Sequence, residues 1–134
     1  MAVLRHIALR TKDMEVSRRF YETIGFEFVG YRGRNGLDLS DGTLNMTILQ
    51  YNGAARPPFE EGTEFIHFGI IVEDLPSIYN TLRDGGFELI MDNVKKGDEI
   101  DDNKPPERSF KVADPDGNVV DITCAKDEWR GVTV

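Results

Sequence analysis

The feature that most constrains the fold is an internal repeat, in which His6 and His67 mark equivalent places 61 residues apart. Each copy contains a histidine in a β-type run, an aspartate before a helical run, and a Gly-Phe-Glu segment. These are His6 and His67, Asp13 and Asp74, and residues 25–27 and 86–88. A unit of this size is too small to be stable alone, so we expect a tandem duplication whose halves pair or swap between subunits.

The first copy predicts the elements of one module. Residues 3–10 alternate with period two, which is typical of a half-buried strand, and His6 lies on the face opposite the aliphatic side chains. Asp13 is placed to cap a helix, and Gly25 supplies the left-handed residue that ends it. Three further strands are expected to follow, so each module has the order βαβββ.

The repeat therefore predicts an α+β fold of two tandem βαβββ modules. The helix-facing sides of the two sheets would be buried, and the opposite faces would curl into a half-open, barrel-like cup. The expected boundaries are residues 1–52 for module one, 53–63 for a connector, 64–125 for module two and 126–134 for a tail. Residues 92–108 are too polar to bury much surface and are predicted to form a long loop that could cover the cup.

Charge excludes several classes of partner. The 134 residues carry 16 basic and 24 acidic side chains, for a formal net charge of −8. Phosphate-backbone binding needs clustered positive charge, so nucleic acid is not an expected partner. An anionic membrane surface is disfavoured for the same reason, and no apolar run is long enough to span a bilayer. The single cysteine, Cys124, forms no intrachain disulfide, which favours the cytoplasm.

The two histidines are candidate metal ligands. They are the only histidines in the chain, and each lies on the polar face of the first strand of its module. In the last strand Asp121 lies on the face opposite Val120 and Ile122, where an acid needs a compensating cation. Neutral imidazole and carboxylate are both metal donors. The alternatives are a pair of structural histidines, and an Asp121 carboxylate paired with Arg10.

Four segments make the sequence similar to the vicinal oxygen chelate superfamily, also called the glyoxalase/bleomycin resistance/dioxygenase superfamily. They are residues 4–9, 20–26, 66–69 and 114–121. The resemblance implies paired βαβββ modules around a metal-bearing cup, usually in a homodimer. It also implies that His6, His67 and Asp121 match metal-ligand positions, although Asp121 replaces the more usual glutamate.

The resemblance leaves one ligand position of module one without a carboxylate. Matching by strand context puts Ile48 there, and matching from the Asp41-Gly42 turn puts Met46 there. Gln50 would face the cup only if the register of this strand were shifted further. Met46, Ile48 and Gln50 are therefore expected to line the substrate site rather than to bind metal.

Two functions are compatible with this set of residues. The first is an enzyme that uses a divalent ion (Fe, Mn, Ni or Zn) to hold neighbouring oxygens of a small substrate, with dioxygenase-like or glyoxalase/lyase-like chemistry. The missing second carboxylate favours oxygenase-type chemistry. Arg10, Tyr51 and Thr123 are further candidates for substrate binding. The second function is a non-catalytic protein that sequesters a small ligand or drug in the same cup.

Overall fold

The computed structural model describes residues 4–51, 67–91 and 105–130, which belong to two compact units, Met1–Pro57 and Pro58–Val134. The first unit contains β1 (His6–Thr11), α1 (Met14–Ile24), β2 (Glu27–Tyr31), β3 (Gly36–Ser40) and β4 (Asn45–Gln50). The second contains β5 (His67–Ile71), α2 (Leu75–Asp84), β6 (Leu89–Met91), β7 (Ser109–Ala113) and β8 (Val119–Thr123).

Both units have the βαβββ order that the repeat predicts. The strand order is β1-β4-β3-β2 in the first sheet and β5-β8-β7-β6 in the second. In each sheet the first strand pairs in parallel with the fourth, and the remaining pairs are antiparallel. The prediction of an α+β fold with two such modules is confirmed. The predicted connector, 53–63, and most of the predicted loop, 92–108, lie outside the described residues.

The helices begin and end where the repeated residues predict. Asp13 Oδ1 accepts hydrogen bonds from the backbone N–H groups of Glu15 and Val16, and Asp74 Oδ1 accepts one from Ser77. These bonds satisfy amides that have no partner within the helix. Gly25 ends α1 at φ +126°, a left-handed conformation that L side chains rarely adopt.

The first sheet has one face against α1 and one face that carries His6. Thr11 and the helical Ser17 share a hydrogen bond of 2.7 Å, which places α1 on the face of Thr11. Alternation along β1 puts His6 on the other side. We call this second side the first histidine face; in register it contains His6, Ala8, Arg10, Asn45, Thr47, Leu49, Asp38 and Ser40.

This register places three of the predicted substrate residues on the side of the sheet that meets α1. Met46 and Ile48 pair with Ile7 and Leu9 and are almost fully buried in the core beneath α1. Gln50 lies on the same side, where its side-chain oxygen accepts a hydrogen bond from Met14 N at 3.3 Å. β4 alternates, with Asn45 and Thr47 on one face and Met46 and Ile48 on the other. The expectation came from matching the family's ligand position to β4 one residue away from Thr47, and a one-residue shift along a strand exchanges its two faces.

The second sheet is built in the same way. Tyr79 of α2 packs edge-on against Phe110 of β7, with ring centroids 5.1 Å apart, so α2 covers the face of Phe110. The opposite side is called the second histidine face; in register it contains His67, Gly69, Ile71, Val119, Asp121, Thr123, Ser109, Lys111 and Ala113. None of the helices in the described ranges is long and apolar enough to cross a membrane.

Candidate functional site

Three ionisable side chains meet on the second histidine face. His67 Nε2 lies 3.1 Å from Asp121 Oδ2, and Lys111 Nζ lies 4.0 Å from Asp121 Oδ1. Lys111 and Asp121 are direct neighbours in the β7–β8 pair, and their side chains are only 7% and 6% exposed. Asp121 therefore contacts an imidazole through one oxygen and approaches an ammonium group with the other.

The His67–Asp121 pair fits part of a metal site. Two ligand atoms that each lie about 2.1 Å from a cation, at a right angle, are about 3.0 Å apart. The observed separation of 3.1 Å between Nε2 and Oδ2 is compatible with that value, and it is also the length of a direct contact between an imidazole N–H and a carboxylate. Among the residues described, no three side chains of His, Cys, Asp or Glu come together as a complete metal site. The second unit thus offers two donors, with Lys111 beside them.

A segment that follows β8 covers this face. We call residues 124–130 the C-terminal strap. Arg108 holds it, donating hydrogen bonds of 2.9 Å to Glu128 and 2.8 Å to Asp127. The indole of Trp129 lies so close to Gly69 that a Cβ at residue 69 would overlap the ring. Because Gly69 pairs with Asp121, this places the ring on the face that carries the ionic cluster.

The predicted substrate residue Thr123 lies on this face but supports the strap. Its hydroxyl donates a 3.0 Å hydrogen bond to the Arg108 carbonyl and accepts one of 3.0 Å from Ala125 N. The side chain is fully buried. Thr123 therefore fixes the start of the strap.

On the first histidine face, His6 has a different kind of partner. Its Nδ1 lies 2.6 Å from Asn45 Oδ1, on the neighbouring strand. Thr47 occupies the place in β4 that Asp121 occupies in β8, because Thr47 pairs with Ala8 and Asp121 pairs with Gly69. The ligand position that the resemblance leaves open in module one is thus a threonine.

A carboxylate is nevertheless present on this face, one strand further along. Asp38 Oδ1 accepts a 2.7 Å hydrogen bond from Thr47 Oγ1, and Asp38 Oδ2 accepts one of 2.7 Å from Arg32 Nε. The side chain of Asn45 also faces this carboxylate. Burial by itself would raise the pKa of Asp38, but the bonds from Thr47, Arg32 and Asn45 and the charge of Arg32 hold it below its ordinary value.

We expect Asp38→Asn to change how stability depends on pH. Because the folded-state pKa of Asp38 is lowered, its contribution is present above the ordinary value of 3.8 and is lost as pH falls through the folded value. The variant should lose about 1 kcal/mol at pH 7 and a smaller amount below pH 3.8. Urea unfolding at several pH values measures this. A deficit that stays constant down to acid pH would contradict the assignment.

Two other predicted substrate residues belong to the first unit. Arg10 lies on the first histidine face and is exposed, and its guanidinium is 3.5 Å from the Gln50 carbonyl. Tyr51 follows β4, and its buried hydroxyl has no hydrogen-bond partner among the described residues. Both side chains keep polar groups that a ligand could use.

The sequence interpretation missed Asp38, Asn45, Lys111 and Trp129. Asp38 and Lys111 could have been found, since each is a charged residue in the middle of a predicted strand, the signal that identified Asp121. Asn45 and Trp129 had no such signal. Their roles depend on the register of β4 and on the path of the strap.

Known proteins agree with this architecture. Residues 3–122 match the family model described as the Glyoxalase/Bleomycin resistance protein/Dioxygenase superfamily. No curated protein matches the chain in sequence.

Solved structures with low sequence identity share the fold. A possible glyoxalase from Bacillus cereus is 19% identical with a TM-score of 0.66, and the match covers 92% of this chain and 100% of that one. The oxidase ChaP-H2 is 17% identical (TM-score 0.64, 92% and 94% covered). The fosfomycin resistance protein FosX from Listeria monocytogenes is 17% identical (TM-score 0.64, 93% and 93% covered). The chain belongs to the glyoxalase/bleomycin resistance protein/dioxygenase superfamily.

Proposed function

We propose that the protein is a divalent-metal-dependent enzyme acting on a small metabolite with two neighbouring oxygen atoms. Its metal ligands would be His67 and Asp121, with His6 as the third ligand expected from the sequence. The observation that carries the proposal is the 3.1 Å separation between His67 Nε2 and Asp121 Oδ2. A bound cation would act there as a Lewis acid and as a template for the substrate oxygens.

The residues of this chain favour some reactions over others. Proton abstraction beside a carbonyl needs a base within hydrogen-bond reach of that proton. Thr47 stands at the position of module one where a second carboxylate would serve, and Asp38 is engaged by Arg32 and Thr47. Two histidines with one carboxylate are the ligand set of many non-haem Fe(II) oxygenases. We therefore place oxygenase-type chemistry ahead of glyoxalase-type isomerisation.

Polar groups outside the ligand set would bind the rest of the substrate. Arg10 is an exposed guanidinium on the first histidine face, and Lys111 is a buried ammonium beside Asp121. Both favour an anionic substrate. The homodimer implied by the family and a reducing, cytoplasmic location belong to the same proposal.

Metal retention tests the proposal. The protein, purified without chelator and supplied separately with Fe(II), Mn(II), Ni(II) and Zn(II), should retain about one ion per chain. His67→Ala and Asp121→Asn should each lower the affinity about 100-fold or more, because each removes a ligand. His6→Ala tests the third ligand in the same way. Asp84→Asn is a matched control, since that carboxylate is 72% exposed at the end of α2.

The rival function is a binding protein that works without metal. The observation in its favour is Lys111, because an ammonium 4.0 Å from Asp121 Oδ1 already offsets the carboxylate charge. In that case none of the four ions would be retained, and His67→Ala would leave metal content unchanged. Small anions would then raise the melting temperature even in EDTA, and Lys111→Met would abolish that effect.

A further inference from the structure

Polar side chains form a row across three strands on the first histidine face. Arg32 hydrogen-bonds to Asp38 on β3, and Asn45 on β4 hydrogen-bonds to His6 Nδ1 on β1. Between them, the side chain of Asn45 faces Asp38 and lowers the pKa of its carboxyl. Asp38 lies one strand beyond the neighbour of His6, so any influence on the imidazole passes through Asn45. The direction of each hydrogen bond can be deduced from the chemistry of the groups.

An ionised carboxylate has only acceptor oxygens. Asp38 accepts from Arg32 Nε and Thr47 Oγ1, each at 2.7 Å, so the Asn45 group that faces it must be the amide NH2. The carbonyl oxygen of Asn45 is then the atom left for His6, at 2.6 Å from Nδ1. Thr47 Oγ1 also lies 3.1 Å from this oxygen, but its single proton serves the shorter contact with Asp38.

A carbonyl oxygen can only accept, so His6 Nδ1 must carry the proton. We propose that Asp38 and Asn45 are positioning residues that hold His6 in the Nδ1–H tautomer and thereby keep the Nε2 lone pair available. Nε2 is then the atom that would bind a metal ion, so the inference extends the proposed function by naming what orients one ligand. Hydrogen bonds to the second ring nitrogen fix both the tautomer and the orientation of a ligating imidazole.

The second module lacks this arrangement, so the proposed positioning applies to His6 and not to His67. Val119 pairs with His67 at the register position that Asn45 holds beside His6, and it has no hydrogen-bonding side chain. His67 instead contacts Asp121 through Nε2. The duplicated histidines therefore use opposite ring nitrogens for the partners described.

Nitrogen-15 NMR of the metal-free protein at pH 8 tests the inference, since only two imidazoles contribute signals. Wild-type His6 should be mainly the Nδ1–H form, by about tenfold over the other tautomer. Asn45→Ala should return it to the Nε2–H form, which free histidine prefers. Asp38→Asn should give a mixture, because Asn45 could then turn its amide either way.

Two controls separate positioning from general damage. Thr47→Val removes a hydroxyl that donates its proton to Asp38 and not to Asn45, and it keeps the contacts of Asn45 with Asp38 and His6, so the tautomer should not change. Val119→Ala perturbs the equivalent position beside His67 and should also leave His6 unaltered. A wild-type His6 in the Nε2–H form, or an Nδ1–H form that survives Asn45→Ala in a folded protein, would overturn the inference. If no metal is retained while these tautomer changes occur, the proposed function fails and the positioning role stands.

Discussion

Replacing Lys111 with methionine is expected to raise the affinity of the protein for a divalent cation by about tenfold or more. The ammonium group competes with a cation for the same Asp121 carboxylate, which it approaches to 4.0 Å. At an effective dielectric constant of about 20, unit charges at that distance interact by about 4 kcal/mol, and a fraction of this suffices for the change. Methionine retains an unbranched apolar stem of similar length, so packing is largely preserved.

The same substitution should weaken the metal-free protein. Removing one member of a buried ion pair leaves the other charge poorly compensated, at a cost of about 3 kcal/mol. Added Mn(II) should therefore raise the melting temperature of Lys111→Met more than that of the wild type. Calorimetric titration and thermal unfolding with and without Mn(II) measure the two effects. Unchanged or weaker binding by Lys111→Met would rule out competition at Asp121 and favour the metal-free binding protein.

Gly69→Ala should displace the indole of Trp129 from the second histidine face. A Cβ at residue 69 would overlap the ring, so the indole must move. We expect a loss of about 2 kcal/mol in stability, from lost apolar burial and strain. Trp129 is the single tryptophan of the chain, so its fluorescence should move to longer wavelength as the ring meets water.

Two comparisons make this prediction specific to the strap. Gly30→Ala is a matched control, because a Cβ at that strand glycine would meet nothing within 4 Å. In a Trp129→Ala background, Gly69→Ala should lower the free energy of unfolding much less than it does in the wild type. The ring that the new Cβ would overlap is then absent, so the effects of the two substitutions are coupled. An equal loss of stability in both backgrounds would show that the strand itself requires the glycine and that the packing of Trp129 does not.

The fold was predictable because its signals are local and occur twice. Asp13 and Asp74 cap the two helices, and Gly25 takes the left-handed conformation that its position predicts. Each of these residues acts through its own backbone or through amides within a few positions. Because the same signals recur 61 residues later, they predict the organisation of the whole chain.

The site was only partly predictable, because it depends on register. A shift of one residue along a strand exchanges its two faces, and the matching of the family's ligand position to β4 was one residue away from Thr47. Met46 and Ile48 were thus expected at the cup and lie on the face of α1, and Asn45 and Thr47 were overlooked. Lys111 was overlooked for a different reason, since the compensating charge for Asp121 was sought in Arg10 and not in the adjoining strand β7.

The strap is made after the strands whose face it covers. Chains emerge from the ribosome with the N-terminal residues first, at about 5–20 residues per second. Gly69 and Asp121 are therefore made before Trp129, the residue that covers their face. A chain that stops early would present the glycine and the buried carboxylate without their cover. Arg108 is also made before Asp127 and Glu128, the strap residues that it holds.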